Sequence, residues 1–197
     1  MEQQKTFVED IERTLYDIRN EDHSVYKTER GLTEDIIRDI SRQKKDPAWM
    51  LDFRLQSLEK YYQIPLPVWG PDISELNMDD IATYVRPGGK MAGNWQEVPE
   101  EIKATFDRLG IPEAERTSLS GVGAQYDSEV VYHRVQKELS DQGVIYTDFE
   151  TAVHEYEDIV KEYFMKLVPP KDHKFAALHG AVWSGGSFVY VPEGVHV

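Results

Sequence analysis

FAALHGAVWSGGSFVYVPEGVHV, residues 175–197, is almost free of charge and consists mainly of small, aromatic and β-branched residues. Residues 175–183 predict one short helix that packs closely through its alanines. Gly185 and Gly186 predict a turn, and SFVYV and GVHV predict two short strands separated by Pro-Glu-Gly. An isolated pair of such strands is only marginally stable in water.

The strand–turn–strand rhythm of this stretch is typical of one coil of a β-solenoid. Such coils need neighbours that bury their faces and pair their edges. The second strand-like run reaches Val197 without a cap, a charge or a turn. We therefore expect further strands downstream, in a larger stacked-strand body of which these residues are the first turns.

The composition of the whole chain restricts its chemistry and its partners. The 197 residues include 22 Lys and Arg against 36 Asp and Glu, and the net charge of −14 would repel a phosphate backbone. The absence of cysteine removes disulfides, thiolate nucleophiles and sulfur ligands for metals from this sequence. No apolar run approaches the ~18 residues of a membrane span, nor is there a signal-peptide core. We expect a cytoplasmic protein that binds neither nucleic acid nor membrane.

Apolar periodicity predicts helices over much of the chain before residue 168. Residues 2–20 predict an acidic amphipathic helix, whose apolar positions are Phe7, Ile11, Leu15 and Ile18. The stretch that follows has no periodicity, so residues 1–30 are interpreted as a mobile acidic arm, either a frayed terminus or a docking segment.

Two helix starts follow the arm. Thr33 is a suitable N-cap for EDIIRDISRQK, whose early acidic residues match the positive end of the helix dipole. Asp46 before Pro47 predicts a capping carboxylate for a second helix, which has a broad apolar and aromatic face. The run IPLPVWGPDIS then predicts an extended, rigid connector because proline lacks a backbone donor. RPGGK predicts an exposed turn.

Three more helices are predicted before residue 168. Residues 99–109 form the first, with Gly110 as a left-handed cap. Residues 128–141 form the second, capped by Ser128, with Val131, Val135 and Leu139 four residues apart. The third begins at a capping box made by Thr147 and Glu150 and runs to about residue 166, with one apolar face formed by Val153, Tyr156, Val160 and Phe164.

Candidate groups for catalysis or metal binding are few. None of the six histidines has a partner at the i, i+4 spacing of a helical metal site, and His173 and His179 remain the best residual candidates. GVGAQY lacks the third glycine of a dinucleotide-binding loop and is interpreted as a tight turn. The sequence therefore assigns no catalytic, cofactor-binding or metal-binding residue to this chain.

Five strings, in this order and at this spacing, carry a resemblance to a known family. They are GLTEDIIRDISRQKKDPAWMLDFRLQSLEKY, PLPVWGPDISELNMDDIATYVRP, VPEEIKATFDRLGIPEAER, LSGVGAQYDSEVVYH and VPPKDHKFAALHGAVWSGGSFVYVPEGV. Over residues 31–197 the chain resembles the SufB family, the scaffold subunits of SUF iron–sulfur cluster assembly. Each string alone would be weak evidence, whereas their common order makes chance similarity improbable.

The resemblance implies an α+β fold in which a mostly helical domain, residues 31–168, leads into a right-handed parallel β-helix that starts within residues 169–197. It implies a non-catalytic scaffold segment that works with SufD, the SufC ATPase and sulfur-donor proteins. An iron–sulfur cluster is expected only on the longer scaffold, with ligands outside this chain, and no cofactor is expected on this segment.

Two alternatives from other functional classes remain open. One is a free-standing acidic helical module that binds another protein and has no part in cluster assembly. The other is a β-solenoid enzyme, for example one that acts on carbohydrates, which would need paired carboxylates on stacked strands. A continuation of the reading frame beyond Val197 with strand repeats and a late cysteine would favour the scaffold.

Overall fold

The computed structural model describes residues 22, 24–88, 95–108, 121–135 and 137–197. Its helices are α1 Glu34–Lys44, α2 Ala48–Gln63, α3 Glu100–Arg108, α4 Lys137–Ser140, α5 Phe149–Glu155, α6 Glu157–Tyr163 and α7 Lys174–Val182. Short 3₁₀ turns lie at Met78–Asp80 and Trp95–Glu97. Its strands are β1 Ser24–Lys27, β2 Val85–Pro87, β3 Gly121–Tyr126, β4 Glu129–Val135, β5 Ile145–Asp148 and β6 Ser187–Tyr190.

The six strands form three separate antiparallel pairs. β1 pairs with β2, β3 pairs with β4, and β5 pairs with β6 in the register Ile145 to Tyr190 and Asp148 to Ser187. Helices and antiparallel pairs therefore make an α+β fold, as predicted. The parallel β-helix of the prediction is not seen in the described residues, whose last strand is antiparallel to its neighbour.

Helices α1, α2 and α7 enclose the first apolar cluster. α1 places Ile36, Ile37 and Ile40 inward because three- and four-residue steps lie on one helical face. α7 lies close to α2 because Gly180 presents no side chain to Ser57. The buried members of this cluster are Leu32, Ile36, Ile37, Ile40, Leu58, Tyr61, Tyr84, Ala177 and Ala181.

Helices α5 and α6 and strand β6 enclose a second, aromatic cluster. Phe149 lies with its ring centroid 4.9 Å from that of Phe164 and 5.1 Å from that of Trp183. Tyr156 stacks on Phe188 at 5.6 Å. Such ring pairs stabilise a core beyond the area that they bury. The buried members are Met50, Ala152, Val153, Val160, Trp183 and Phe188.

Several local predictions are confirmed. Thr33 caps α1, where its hydroxyl accepts a hydrogen bond from the Ile36 amide at 3.3 Å. α3 lies within its predicted range, α7 is shifted by one residue toward the N-terminus from the predicted 175–183, and the first four residues of SFVYV form β6. The connector that follows α2 has no regular secondary structure through residue 74, but it bends at residues 68–71 and is therefore not extended throughout, as was predicted. The predicted helix 2–20 and the Gly110 cap lie outside the described residues. Of RPGGK, Gly89 and Lys90 also lie outside them, whereas Arg86 and the buried Pro87 belong to strand β2, so the exposed turn is wrong at these two residues.

The predicted helix over residues 128–141 is wrong. Residues 121–126 and 129–135 form a β-hairpin instead, and only Lys137–Ser140 is helical. Asp127 adopts a left-handed φ of 52° at the turn, a conformation that aspartate tolerates better than most residues. The interpretation of GVGAQY as a tight turn is also wrong, since it is strand β3. Valines four residues apart share a face of a strand as well as of a helix, so their spacing did not separate the two.

Two predicted caps are also wrong. The N-cap of α5 is Asp148, whose carboxylate accepts from the Thr151 amide at 2.8 Å, while Thr147 belongs to β5. Asp46 does not cap α2, because Pro47 occupies the N-cap position and the Asp46 carboxylate instead accepts from Arg54. A buried cation is the stronger partner for this carboxylate.

Two predicted lengths differ from the structure. The helix predicted to run to about residue 166 is broken at Tyr156, where φ is −126° and ψ is 38°, into α5 and α6. This break allows the two short helices to follow the aromatic cluster. GVHV forms no strand, since a turn at the preceding Pro-Glu-Gly is followed by irregular chain.

Gly180→Ala is expected to destabilise the fold. A Cβ atom at residue 180 would lie 2.6 Å from Ser57 Oγ and 3.0 Å from Ser57 Cβ. Overpacking costs about 1–3 kcal/mol, which exceeds the ~1 kcal/mol that alanine gains over glycine in a helix. Urea unfolding measures the change. Ser57→Gly removes both close atoms, so in that background Gly180→Ala should no longer lower the free energy of unfolding by overpacking. An equal loss of stability in both backgrounds would contradict the close contact.

Candidate functional site

The most elaborate polar contacts of the structure surround residues 174–190, which are called the strap here. Three cationic side chains connect the strap to helices α1 and α2. Arg54 and Lys44 donate to strap carbonyls, and Lys174 of the strap donates to the Tyr61 and Ile64 carbonyls at 2.6 and 3.0 Å. Lys44 and Arg54 thus hold the strap by its backbone carbonyls, whereas Lys174 holds it by a side chain. Contacts to backbone carbonyls fix the path of the chain without requiring particular side chains at those positions.

Arg54 is completely buried, and its guanidinium contacts both helix α7 and Asp46. Nη1 donates to the carbonyls of Ala181 and Trp183 at 3.1 and 2.8 Å, and Nε donates to Asp46 Oδ2 at 2.6 Å. The guanidinium also lies 4.4 Å from the Trp183 ring centroid, within cation–π range. Burial lowers the pKa of Arg54, and the Asp46 carboxylate opposes this effect. An arginine side chain remains charged in proteins, so the site holds a buried ion pair.

Lys44 forms a second buried polar centre at the end of α1. Its side chain is 2% exposed, and Nζ donates to Glu129 Oε1 at 2.8 Å and to Glu150 Oε1. The same Nζ donates to the carbonyl of Ser184 at 3.1 Å and lies 3.4 Å from that of Ser128. One ammonium therefore contacts the β3–β4 turn, strand β4, helix α5 and the strap. We call Lys44, Glu129 and Glu150 the lysine cluster.

The protonation of this region is perturbed. Burial raises the pKa of Glu150 to about 7, and the nearby Lys44 ammonium opposes this rise without cancelling it. Burial and a hydrogen bond donated to Glu129 raise the pKa of the Tyr84 hydroxyl well above its ordinary range. Near pH 7 the protonated and the ionised forms of Glu150 are therefore both populated.

A surface groove of about 450 Å³ lies between the end of α6 and the start of α7. His173 and His179, the two histidines left as candidates by the sequence, both line this groove. His173 Nδ1 caps α7 by accepting from the Phe175 and Ala176 amides at 3.1 and 3.2 Å. Burial, and then the charge of Arg54, lower the pKa of His179. The other lining residues are Tyr163, Met165, Lys166, Leu167, Val168, Phe175 and Ala176.

The groove offers no metal site of ordinary composition. Among the described residues, no three side chains of His, Asp or Glu come together as ligands of one ion. His173 Nδ1 accepts from two amides, and its Nε2 lies 3.8 Å from Asp172 Oδ2. In the same described part of the chain, no helix combines the length and apolar character needed to cross a membrane.

The buried roles of Arg54 and Lys44 were not predicted from the sequence. Both lie on the apolar faces of predicted helices, Arg54 four residues after Met50 and Lys44 four residues after Ile40. Charged residues at such positions are rarely buried unless they are paired. A cation on an apolar stripe was therefore the available signal, although its partners come from distant parts of the chain.

Comparison with known proteins agrees with the resemblance described above. Residues 42–197 match the model of the SufBD protein N-terminal region. The chain is 56% identical over 186 residues to the iron–sulfur cluster assembly SufBD family protein of Staphylococcus haemolyticus, covering 94% of this chain and 40% of that protein. It is 54% identical over 188 residues to the iron–sulfur cluster assembly protein SufB of Bacillus subtilis, covering 95% and 40%. A SufBD family protein of Staphylococcus aureus is 55% identical over 186 residues, with 94% and 40% covered.

The chain belongs to the SufBD family, and it matches the N-terminal region of these proteins. It spans 40% of the length of the curated relatives to which it is similar. The family predicted from the five sequence strings is confirmed. The residues that tie the strap to α1 and α2 lie within the matched range 42–197.

Arg54→Met is expected to destabilise the protein by about 3–5 kcal/mol, because it leaves the Asp46 carboxylate buried without its partner. Chemical denaturation followed by tryptophan fluorescence measures the loss. Adding Asp46→Asn removes the unpaired charge and should restore part of the stability. Arg42→Met is the matched control, since its ion pair with Asp39 is exposed and worth less than about 1 kcal/mol. Equal effects of Arg54→Met and Arg42→Met would contradict a structural role for the buried pair.

Proposed function

We propose that this chain is the N-terminal region of a scaffold for iron–sulfur cluster assembly, and that it acts within a SUF complex. The observation that carries the proposal is identity of 54–56% to SufB and SufBD proteins over 94–95% of the chain. The activity of the whole scaffold is inferred from these relatives, which are longer than this chain.

The role proposed for the chain is to hold the start of a downstream β-helix on a helical base. β6 pairs only with β5 among the described strands, and its Val189 and Tyr190 are 59% and 40% exposed. An exposed apolar strand edge favours pairing with further strands. Anchoring of the strap by Arg54 and Lys44 would fix where such strands begin.

The chain is proposed to be a non-catalytic segment that does not itself hold the cluster. It has no cysteine, and thiolates are the usual ligands of iron–sulfur clusters. Iron and sulfide are the cargo of the assembly, which would be bound on the remainder of the scaffold. The proposed partners are SufD, the SufC ATPase and a sulfur-donor protein, and they would contact chiefly regions beyond this chain.

Co-purification tests the proposal directly. The full-length B. subtilis relative with its N-terminal region replaced by this chain, tagged and expressed in cells that also contain SufC and SufD, is expected to retain both through affinity purification and size-exclusion chromatography. A tagged unrelated acidic protein of the same charge controls for nonspecific capture. If the tagged protein repeatedly purifies as one stable species that contains neither SufC nor SufD, the alternative of an independent acidic interaction module is favoured.

Cluster reconstitution tests the assignment of the cluster to other parts of the scaffold. Incubation of the 197-residue chain with ferrous iron and sulfide under anaerobic conditions is expected to produce no stable visible charge-transfer absorption after desalting. The B. subtilis relative at full length serves as the comparison, treated in the same way. A cluster that stays on the 197-residue chain would show that its His and carboxylate side chains suffice as ligands.

A further inference from the structure

The lysine cluster contains one cation and two carboxylates, so its charges do not balance. The Lys44 side chain is 2% exposed, and those of Glu129 and Glu150 are 21% and 26% exposed. An uncompensated charge in such a position is costly to keep out of water. Two carboxylates that share one partner therefore favour the retention of one proton between them.

The cluster also lies where separate parts of the fold meet. Lys44 Nζ bonds to the carbonyl of Ser184 in the strap, and Glu150 lies one residue after Phe149, whose amide donates to the strap carbonyl of Gly186 at 3.0 Å. Glu129 follows Ser128 at the hairpin turn, and the Ser128 hydroxyl accepts from the β2 backbone at 3.0 Å. A rearrangement of the lysine cluster therefore changes the hydrogen bonds that hold the strap.

We propose that the lysine cluster is a proton-controlled latch. With a proton on Glu150, one positive and one negative charge remain, and Lys44 holds Ser184 and the hairpin turn against α1. Loss of that proton leaves two negative charges against one positive charge and favours opening of the strap, which lets water reach the carboxylates. The latch is a property of the fold and does not depend on the function proposed above.

Groups on every neighbouring element act on the Glu150 carboxyl. Lys44 on α1 favours its ionised form, whereas Glu129 on β4 and Asp148 at the start of α5 favour its protonated form. The Arg54 charge on α2 also acts at Glu150 but is already paired with Asp46. Tyr84 near β2 donates its hydroxyl to Glu129, so that carboxylate has a second donor besides Lys44. The proton is therefore assigned to Glu150.

The direction of the pH effect follows from these charges. An exposed glutamate has its ordinary pKa near 4.5, and burial raises the pKa of Glu150 to about 7 in the closed state. Between these values the closed state binds more protons than the open state, so a rise in pH favours opening. The effect is complete once the pH exceeds about 7. From pH 6 to pH 8 the open fraction is expected to rise about tenfold.

Hydrogen exchange on the full 197-residue chain measures opening of the strap. Amides of peptides that cover residues 174–190 are followed by mass spectrometry at pH 6 and pH 8, and the rates are corrected for the intrinsic pH dependence of exchange. Wild-type protein is expected to lose about tenfold in strap protection at pH 8. Helix α3, whose Ile102 packs in a separate apolar cluster with Val98, provides the internal reference.

Glu150→Gln keeps the shape and the acceptor oxygen but cannot ionise, so its strap protection should be equal at pH 6 and pH 8. Glu129→Gln also leaves one cation with one carboxylate and should reduce the pH dependence in the same way. Glu155→Gln is the matched control on helix α5, since Glu155 is exposed, and it should keep the tenfold change. Retention of the full pH dependence in Glu150→Gln would overturn the latch, as would a wild-type strap whose protection is the same at both pH values.

A second measurement detects the retained proton in the wild-type protein and uses a variant only to assign its resonance. Carbon-13 NMR of glutamate side-chain carboxyls in wild-type protein should show one resonance that titrates near neutrality, and its absence from spectra of Glu150→Gln would assign it. If every glutamate carboxyl titrates below pH 6, no proton is held at the cluster and the proposal fails.

Discussion

The rest of the structure depends on the contact between the Arg54 guanidinium and the end of helix α7. The last carbonyls of a helix have no partner within it and carry the negative end of its dipole. Arg54 supplies donors and a positive charge to two of these groups, at Ala181 and Trp183. Asp46 then neutralises the guanidinium at 2.6 Å. Removal of any one of these participants leaves a buried polar group of another unsatisfied, which ties α2, α7 and the chain before α2 into one cooperative unit.

Around this contact lie two of the three apolar clusters of the described residues, with polar groups between them. The cluster of α1, α2 and α7 is largely aliphatic, whereas that of α5, α6 and β6 is aromatic. Arg54 and Lys44 lie where the strap passes from one cluster to the other. Buried ions contribute less to stability than apolar residues of the same volume, but they accept only one arrangement of partners. The position of the strap is therefore specified by hydrogen bonds, while most of the stability of the fold comes from burial of apolar surface.

Local signals in the sequence predicted what is local in the structure. The Thr33 cap, the helix α1 that begins after it and strand β6 each arise from residues that lie close together in the chain. The β3–β4 hairpin was not predicted because its valines fit the period of a helix as well as that of a strand. The break at Tyr156 was not predicted because aromatic packing sets the bend, and helix propensity does not. No spacing rule could pair Lys44 with Glu129 and Glu150, which lie 85 and 106 residues away. The family, by contrast, was readable from five strings because their order is far less common than any one of them.

The long separation of Arg54 from its acceptors has a consequence for synthesis of the chain on the ribosome. The two carbonyls come 127 and 129 residues after Arg54, so α2 emerges long before the helix that it anchors. Until then the aliphatic cluster lacks Ala177 and Ala181, and the guanidinium must remain hydrated. The nascent chain thus exposes an incomplete apolar surface for several seconds at ordinary translation rates. Chaperones that bind emerging polypeptides have their main opportunity during this interval.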